Sequence, residues 1–313
     1  MKKVIMIMGF PGSGKSTYTK KLISDGWINF NRDIIANTSK LLAFLAITLE
    51  DTIQPNKQVV LDNTYGTIES RKPIIDLAKK NGYEIECWEM ETSFEDAQFN
   101  AVQRQIERLG KYPTPEELKA AKDVNLFPPA VIYAYKKNYQ KPTLAEGFDV
   151  IKKNKFVRSF PADYTNKAII FDYDGTLRET ISGAKYPIDP YDIRILPGRK
   201  EKLQALKDAG YILLGLSNQS GVAKGHLSHG QAVKCFKRTN DLLGFDIDVE
   251  FCSHSIPPVI CYCRKPAPGY GVHFIHKYKL DPSKVIMVGD MTSDETFAKR
   301  CGFKYKKENE FFI

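Results

Sequence analysis

Two short stretches of this 313-residue chain carry residue types and spacings suited to chemistry on phosphates. The first, Gly9-Phe10-Pro11-Gly12-Ser13-Gly14-Lys15-Ser16, fits G-x-x-x-x-G-K-[ST]. Its glycines let the backbone turn so that N–H groups face phosphate oxygens. Lys15 would reach the β- and γ-phosphates, and the Ser16 hydroxyl would take a place on Mg²⁺. A helix starting there would aim its positive end at the same anion. With Thr17, the residues Gly9, Gly12, Ser13, Gly14, Lys15 and Ser16 form the candidate nucleotide-binding set. The second stretch is Asp172-Tyr173-Asp174-Gly175-Thr176. Two carboxylates two residues apart in a loop repel, and a Mg²⁺ bridging them to a phosphate removes the conflict. Asp172 can then attack phosphorus to form an aspartyl-phosphate. Asp174 can protonate the leaving oxygen and later activate water.

Further candidates lie between these stretches. Asp33, in Asn31-Arg32-Asp33, has two readings: a general base for a hydroxyl nucleophile, or a helix N-cap. Asp62, in Asp62-Asn63-Thr64, could orient Mg²⁺ or its waters. Arg104 and Arg108 share one face of an expected helix. They either close over a triphosphate as a lid and stabilise charge in the transition state, or are solvated.

These residues need elements to position them. Apolar runs at Val4–Met8, Val59–Leu61, Ala168–Phe171, Ile212–Leu216 and Val285–Val288 each end in a polar or glycine-rich loop that precedes a helix. That pattern predicts an α/β fold with parallel sheets covered on both faces. In such sheets chemistry gathers at the carboxyl ends of strands, where all these candidates fall. Lys152–Asn166 is basic and polar, with little periodicity. It predicts a boundary at about 155–165, hence domains 1–155 and 165–313, each able to build its own core.

Composition narrows the classes. Hydrophobic residues make up 42% and charged residues 27%, which excludes low-complexity or disordered readings. No apolar run approaches the roughly 18–20 residues needed to span a bilayer. The apolar start is about six residues and runs into the glycine loop, so the reading is a buried strand, no membrane, and a cytoplasmic chain. The net charge of +9 suits nucleic acid or phosphorylated substrates, although a merely basic surface would also give it. Of six cysteines, Cys252, Cys261 and Cys263 crowd into twelve residues, unlike a disulfide framework.

The N-terminal motifs come together with further stretches into a resemblance. GFPGSGKST, NRD, VVLDNT with a following SR, and YAYKKNYQKPTLAEGF resemble the 5′-hydroxyl polynucleotide kinase domain of polynucleotide kinase-phosphatases, most closely the animal type. The likeness runs from residue 3 to about 152. It implies a P-loop fold, ATP as donor, a nucleic acid 5′-OH as acceptor and Asp33 as general base. It also implies that Arg71 and the Arg104/Arg108 pair hold phosphates. Phage-type members carry an arginine three residues after the aspartate, where this chain has Ala36.

The second half, over about 165–305, resembles haloacid-dehalogenase-type phosphatases, which implies a Rossmannoid parallel sheet. In family order, Ser217 would bind a phosphoryl oxygen and Lys265 would neutralise the aspartate–phosphate pair. Asp290 and Asp294 would complete the Mg²⁺ site begun by Asp172 and Asp174. SNQSGVAKG and CRKPAPG resemble the histidinol-phosphate and heptose-bisphosphate phosphatase group, which often carries a zinc loop. Here Cys252, His254, Cys261 and Cys263 form a Cys₃His set suited to tetrahedral, structural zinc, the other reading being reduced free thiols.

The leading expectation is a bifunctional nucleic-acid end-healing enzyme. It would phosphorylate 5′-OH ends with ATP and remove 3′-phosphates from DNA or RNA, ahead of a ligase acting downstream. The alternative is a small-molecule kinase fused to a sugar-phosphate or histidinol-phosphate phosphatase.

Overall fold

A computed structural model describes residues 2–35, 37–54, 57–257 and 261–313, and for Arg32 and Asp33 the backbone alone. The chain divides into two compact units, each of which is α/β with a parallel five-stranded sheet. Among the described residues no helix is long and apolar enough to cross a membrane.

The first unit comprises the chain up to Ala101 together with Lys122–Arg158. Its elements in order are β1 (Lys3–Met8), α1 (Lys15–Ser24), β2 (Ile28–Asn31), α2 (Arg32–Ile35), α3 (Thr38–Glu50), β3 (Gln58–Asp62), α4 (Ile68–Lys80) and β4 (Glu84–Glu91). α5 (Phe94–Leu109) and α6 (Pro115–Ala120) follow, then α7 (Pro129–Asn138) and β5 (Val150–Lys155). The strand order is β2-β3-β1-β4-β5. β1 shows why its run is apolar throughout. Val4, Met6 and Met8 enter one core with Leu41, Leu45 and Ile75, while Ile5 and Ile7 enter the opposite one with Leu22 and Val60. A strand buried on both faces has no solvent side on which to place a polar residue. Its carboxyl end therefore delivers Gly9 to the sheet edge, beside Asp62 at the end of β3.

The second unit comprises Val102–Ala121 and Ser159–Ile313. It contains β6 (Asn166–Phe171), the short pair β7 (Arg178–Glu179) and β8 (Arg194–Ile195), α8 (Arg199–Asp208), β9 (Ile212–Asn218), α9 (Ser220–Ala223), α10 (His229–Leu243) and β10 (Asp248–Cys252). It closes with α11 (Gly269–Tyr278), β11 (Leu280–Gly289), α12 (Thr292–Cys301) and β12 (Lys304–Lys307). The sheet order is β10-β9-β6-β11-β12, with β6 at the centre. Its apolar strands end at Asp172, Ser217 and Asp290, so three candidate side chains issue from neighbouring strands at one edge.

Val102–Ala121 departs from the expected division, which placed it in the first domain. It packs within the second unit, where the Tyr112 ring lies 5.2 Å from Tyr270 and 6.2 Å from His273 of α11. A large buried ring there commits the flanking chain to that core.

Candidate active sites

In the first unit the loop between β1 and α1 is held open by backbone geometry and pinned from outside. Gly12 has φ 82°, and a Cβ on it would lie 2.8 Å from the Ala97 carbonyl oxygen, so no other residue fits without moving backbone. Asn100 Nδ2 donates to the Gly12 carbonyl at 2.9 Å, and Thr92 Oγ1 donates to that of Ser13 at 2.9 Å. Lys15 is buried, its Nζ donating to the carbonyls of Gly9 (3.1 Å) and Phe10 (2.8 Å). Ser16 Oγ donates to Asp62 Oδ2 at 3.3 Å, which places the two candidate Mg²⁺ residues side by side. The buried Ser13 Oγ has no hydrogen-bond partner among the described residues. A loop of backbone donors with a spare buried hydroxyl and a lysine folded over it fits a triphosphate.

The other candidates of this half fare differently. The side chain of Asp33 lies outside the described residues, as does Ala36. Arg104 is half-buried and Arg108 exposed, both on the stretch of α5 that belongs to the second unit. Arg71 requires a correction: it is fully buried and does not serve as a phosphate grip. Its Nε and Nη2 donate to the two carboxylate oxygens of Glu146 at 2.7 and 2.9 Å, and Nη1 donates to the carbonyls of Tyr65 and Gln140, both at 3.0 Å. A guanidinium so occupied ties three chain segments together. Replacing it with leucine leaves Glu146 buried and unpaired. We expect Arg71→Leu to lower stability by about 3–5 kcal/mol, read as a drop in denaturant midpoint, with KM for ATP unchanged in protein that remains folded.

In the second unit a buried charge cluster centres on Lys265. Its Nζ contacts Asp172 Oδ1 at 2.6 Å, Asp294 Oδ1 at 2.8 Å and the Leu216 carbonyl at 2.8 Å. Burial pushes the Asp172 carboxyl up to about 7, with Lys265 opposing and Asp294 adding to the rise. Burial works against the Lys265 ammonium too, yet attraction to Asp172 and Asp294 holds its pKa above the usual lysine value. Carboxylate oxygens of Asp172, Asp290 and Asp294 all lie within 4.8 Å of one another, and Asp290 Oδ1 is buried without a partner among the described residues. Three converging carboxylates against one ammonium leave a negative excess that fits a hard divalent cation. Gly289 leaves the necessary room, since a Cβ there would lie 2.3 Å from Asp294 Oδ2.

Asp174 is the second correction. Its carboxylate is not in that cluster. Oδ1 accepts from Arg178 Nε at 2.8 Å and Oδ2 from Gln219 Nε2 at 2.9 Å. These donors hold it at the wall of a cavity of about 500 Å³ that Asp172, Ser217 and Lys265 also line. That placement suits proton transfer rather than metal ligation. Gln219 Nε2 also reaches Ser217 Oγ at 3.0 Å, joining the two sides of the cavity. Three supporting residues were not singled out from the sequence. Gln219 is one. Asn218 is another, its amide accepting from the Lys265 N–H (2.9 Å) and donating to the Lys265 carbonyl (3.0 Å). Arg178 is the third, buried against Thr239 and the Cys235 carbonyl. The signal available was adjacency: Asn218 and Gln219 follow Ser217 directly, and Arg178 lies four residues after Asp174.

Cys252, His254, Cys261 and Cys263 form a second convergent group. Cys252 Sγ lies 3.8 Å from Cys261 Sγ and 3.5 Å from His254 Nδ1, which in turn lies 3.3 Å from Cys263 Sγ. A zinc tetrahedron with bonds of about 2.3 Å to sulfur and 2.0–2.1 Å to nitrogen has edges of about 3.8 and 3.6 Å, so the set fits zinc. Residues 258–260 of this loop lie outside the described residues.

Comparison with known proteins agrees with this division. Residues 4–124 match the family described as an AAA domain, and residues 167–312 match that described as polynucleotide kinase 3 phosphatase. A Pasteurella multocida D-glycero-beta-D-manno-heptose-1,7-bisphosphate 7-phosphatase is 35% identical over 147 residues, covering 44% of this chain and 78% of that protein. A Schizosaccharomyces pombe bifunctional polynucleotide phosphatase/kinase is 32% identical over 156 residues, or 50% of this chain and 34% of that protein. A putative bifunctional polynucleotide phosphatase/kinase of Acanthamoeba polyphaga mimivirus is 30% identical over 157 residues, with 50% and 34% covered. The match thus spans about a third of the length of these bifunctional relatives. The molecule joins a P-loop kinase domain to a phosphatase domain of the haloacid-dehalogenase type. Through the latter the chain belongs to the phosphatase family that includes the heptose-bisphosphate 7-phosphatases, and it is homologous to bifunctional polynucleotide phosphatase/kinases.

Proposed function

We propose that the chain heals nucleic acid ends, phosphorylating 5′-OH termini with ATP and hydrolysing 3′-phosphates through an aspartyl-phosphate on Asp172. The observation that carries this is the pairing in one chain of a phosphate loop, with Ser16 beside Asp62, and a buried Asp172–Lys265–Asp294 cluster matched to polynucleotide kinase 3 phosphatase. The two activities would reside in residues 1–155 and 165–313. Asp33 would take the proton of the attacking hydroxyl, and Arg104 and Arg108 would steady the transferred phosphate. In the phosphatase, Lys265 and Ser217 would hold the phosphoryl oxygens while Asp172 attacks. Asp174 would protonate the leaving 3′-oxygen and then take a proton from water.

Mg²⁺ fits Ser16 and Asp62 in one site and Asp172, Asp290 and Asp294 in the other, where it would offset phosphate charge. Zinc would be structural, held by Cys252, His254, Cys261 and Cys263 just ahead of Lys265. We place the protein in the cytoplasm, handing its 5′-phosphate, 3′-OH product to a ligase.

An oligonucleotide with 5′-OH and 3′-phosphate ends, given labelled ATP and Mg²⁺, should gain the label and lose its 3′-phosphate. Absence of 5′ labelling refutes the kinase reading. A second reading rests on the Cys₃His loop and the P. multocida relative: 3′-phosphate untouched while heptose bisphosphate is hydrolysed would establish it. For zinc, we expect one equivalent per chain in protein purified without chelator, and a fall in Tm of several degrees for Cys261→Ser. Metal analysis finding none would refute the site.

A further inference from the structure

The first unit holds a cavity of about 250 Å³ that none of the residues assigned above explains. The chain builds it immediately after Asp62: Asn63, Thr64 and Gly66 form one wall, Leu41 and Leu42 of α3 another, and Tyr135 of α7 a third. Thr64 ties the cavity to the phosphate loop. Its carbonyl accepts from the Gly9 N–H and from the Tyr135 hydroxyl, each at 3.4 Å. The Tyr135 ring also packs on Phe10 of the loop, with centroids 4.8 Å apart. Gly66 makes room for that ring, since a Cβ there would lie 2.8 Å from Tyr135 Cε2. The cavity therefore starts one residue beyond the carboxylate that receives Ser16, and shares a wall with the phosphate cradle.

The lining identifies the class of ligand. Hydroxyls and amides come from Thr38, Asn63, Thr67, Ser70 and Asn138, and apolar surface from Leu41, Leu42 and Tyr135. Among the described lining residues Glu69 alone is charged, and there is no cation. A phosphate would find no partner here. A flat, neutral body with polar edges and an apolar face would find both kinds, which describes a nucleobase on its sugar. The volume lies below the roughly 300–1,000 Å³ of sites for drug-sized ligands, so it suits one nucleoside rather than a strand. Thr38 lies five residues beyond Asp33, the candidate base, which puts the cavity on the acceptor's side of the reaction.

We propose that this cavity seats the terminal nucleoside of the polynucleotide acceptor, with its base against the Leu41, Leu42 and Tyr135 walls and its phosphates left outside. The proposal rests on the 5′-hydroxyl kinase reading. It makes Tyr135 and Leu42 specificity-determining residues for the kinase.

The test compares two 5′-OH oligonucleotides that differ only in the presence of the terminal base, in initial-rate assays on the full chain. With the wild type, KM for the abasic acceptor should be about tenfold higher or more. Leu42→Trp, which fills the cavity, and Tyr135→Ala, which strips its wall, should raise KM for the normal acceptor about tenfold and erase the preference for a base. KM for ATP should stay within about twofold, which a general loss of structure would not allow. Equal KM for the two acceptors in the wild type, which needs no variant to fold, overturns the proposal and leaves the kinase reading standing. Both variants keeping the base preference also overturns it, as does a change confined to KM for ATP, which would seat the donor's adenosine there instead. If the wild type transfers phosphate to no 5′-OH end, the kinase reading itself fails and the proposal with it.

Discussion

Asp172→Asn should lower phosphatase activity by at least about 10⁴-fold while leaving kinase turnover within about twofold. The substitution keeps shape and hydrogen bonding. An amide oxygen can still accept from Lys265 Nζ, now at 2.6 Å, and the backbone bond from the Asp172 N–H to the Val288 carbonyl at 2.9 Å is untouched. What disappears is the lone pair that attacks phosphorus, since an amide is a poor nucleophile. The fold should tolerate the change. Burial already pushes the Asp172 carboxyl up to about 7, so a neutral side chain relieves part of the negative excess beside Asp294. Release of inorganic phosphate from a 3′-phosphorylated oligonucleotide measures the loss, and 5′ labelling of the same sample measures the kinase. Residual phosphatase above about 1% in folded protein would mean that another group attacks phosphorus.

Lys15→Ala should produce the mirror image: kinase turnover lower by about 10²–10³-fold, with phosphatase activity unchanged. In the structure the ammonium lies over the loop, bound to the Gly9 and Phe10 carbonyls. A triphosphate offers it stronger, charged acceptors at the same place, and the charge that develops in transfer makes its presence matter most in the transition state. Alanine removes that charge while Gly12 and Gly14 keep the loop's backbone form. The defect should therefore fall on kcat more than on KM for ATP. A variant that loses both activities while its thermal unfolding is unchanged would contradict two independent sites.

The sequence discloses much of both sites because their chemistry is local. Lys15 and Ser16 are set by a loop of eight residues, and Asp172 and Asp174 by one of five. Strand ends are legible because a doubly buried strand must be apolar until it stops. What could not be read depends on partners distant in the chain. Arg71 looks like an anion grip until Glu146, 75 residues later, is seen to occupy it. Asp174 looks like a metal ligand until Arg178 and Gln219 are seen to hold it away from the carboxylate cluster. Lys265 is recognisable by motif, but its clamp, Asn218, sits 47 residues upstream on another strand. The neutral cavity beside Asp62 has no motif at all, since hydroxyls, amides and leucines from three helices and a loop leave no spacing to recognise.

The membership of Val102–Ala121 in the second unit bears on how these two activities can be inherited. A gene severed in the basic linker near residue 160 would give a kinase half carrying a twenty-residue passenger stripped of its bed, and a phosphatase half missing Tyr112 from beside Tyr270. Neither fragment would be whole, although each keeps every reacting group. Recombination could exchange such modules cleanly only by moving that passenger as well. The pair is thus expected to pass between genomes as one indivisible piece, and its two reactions to remain equimolar wherever it goes.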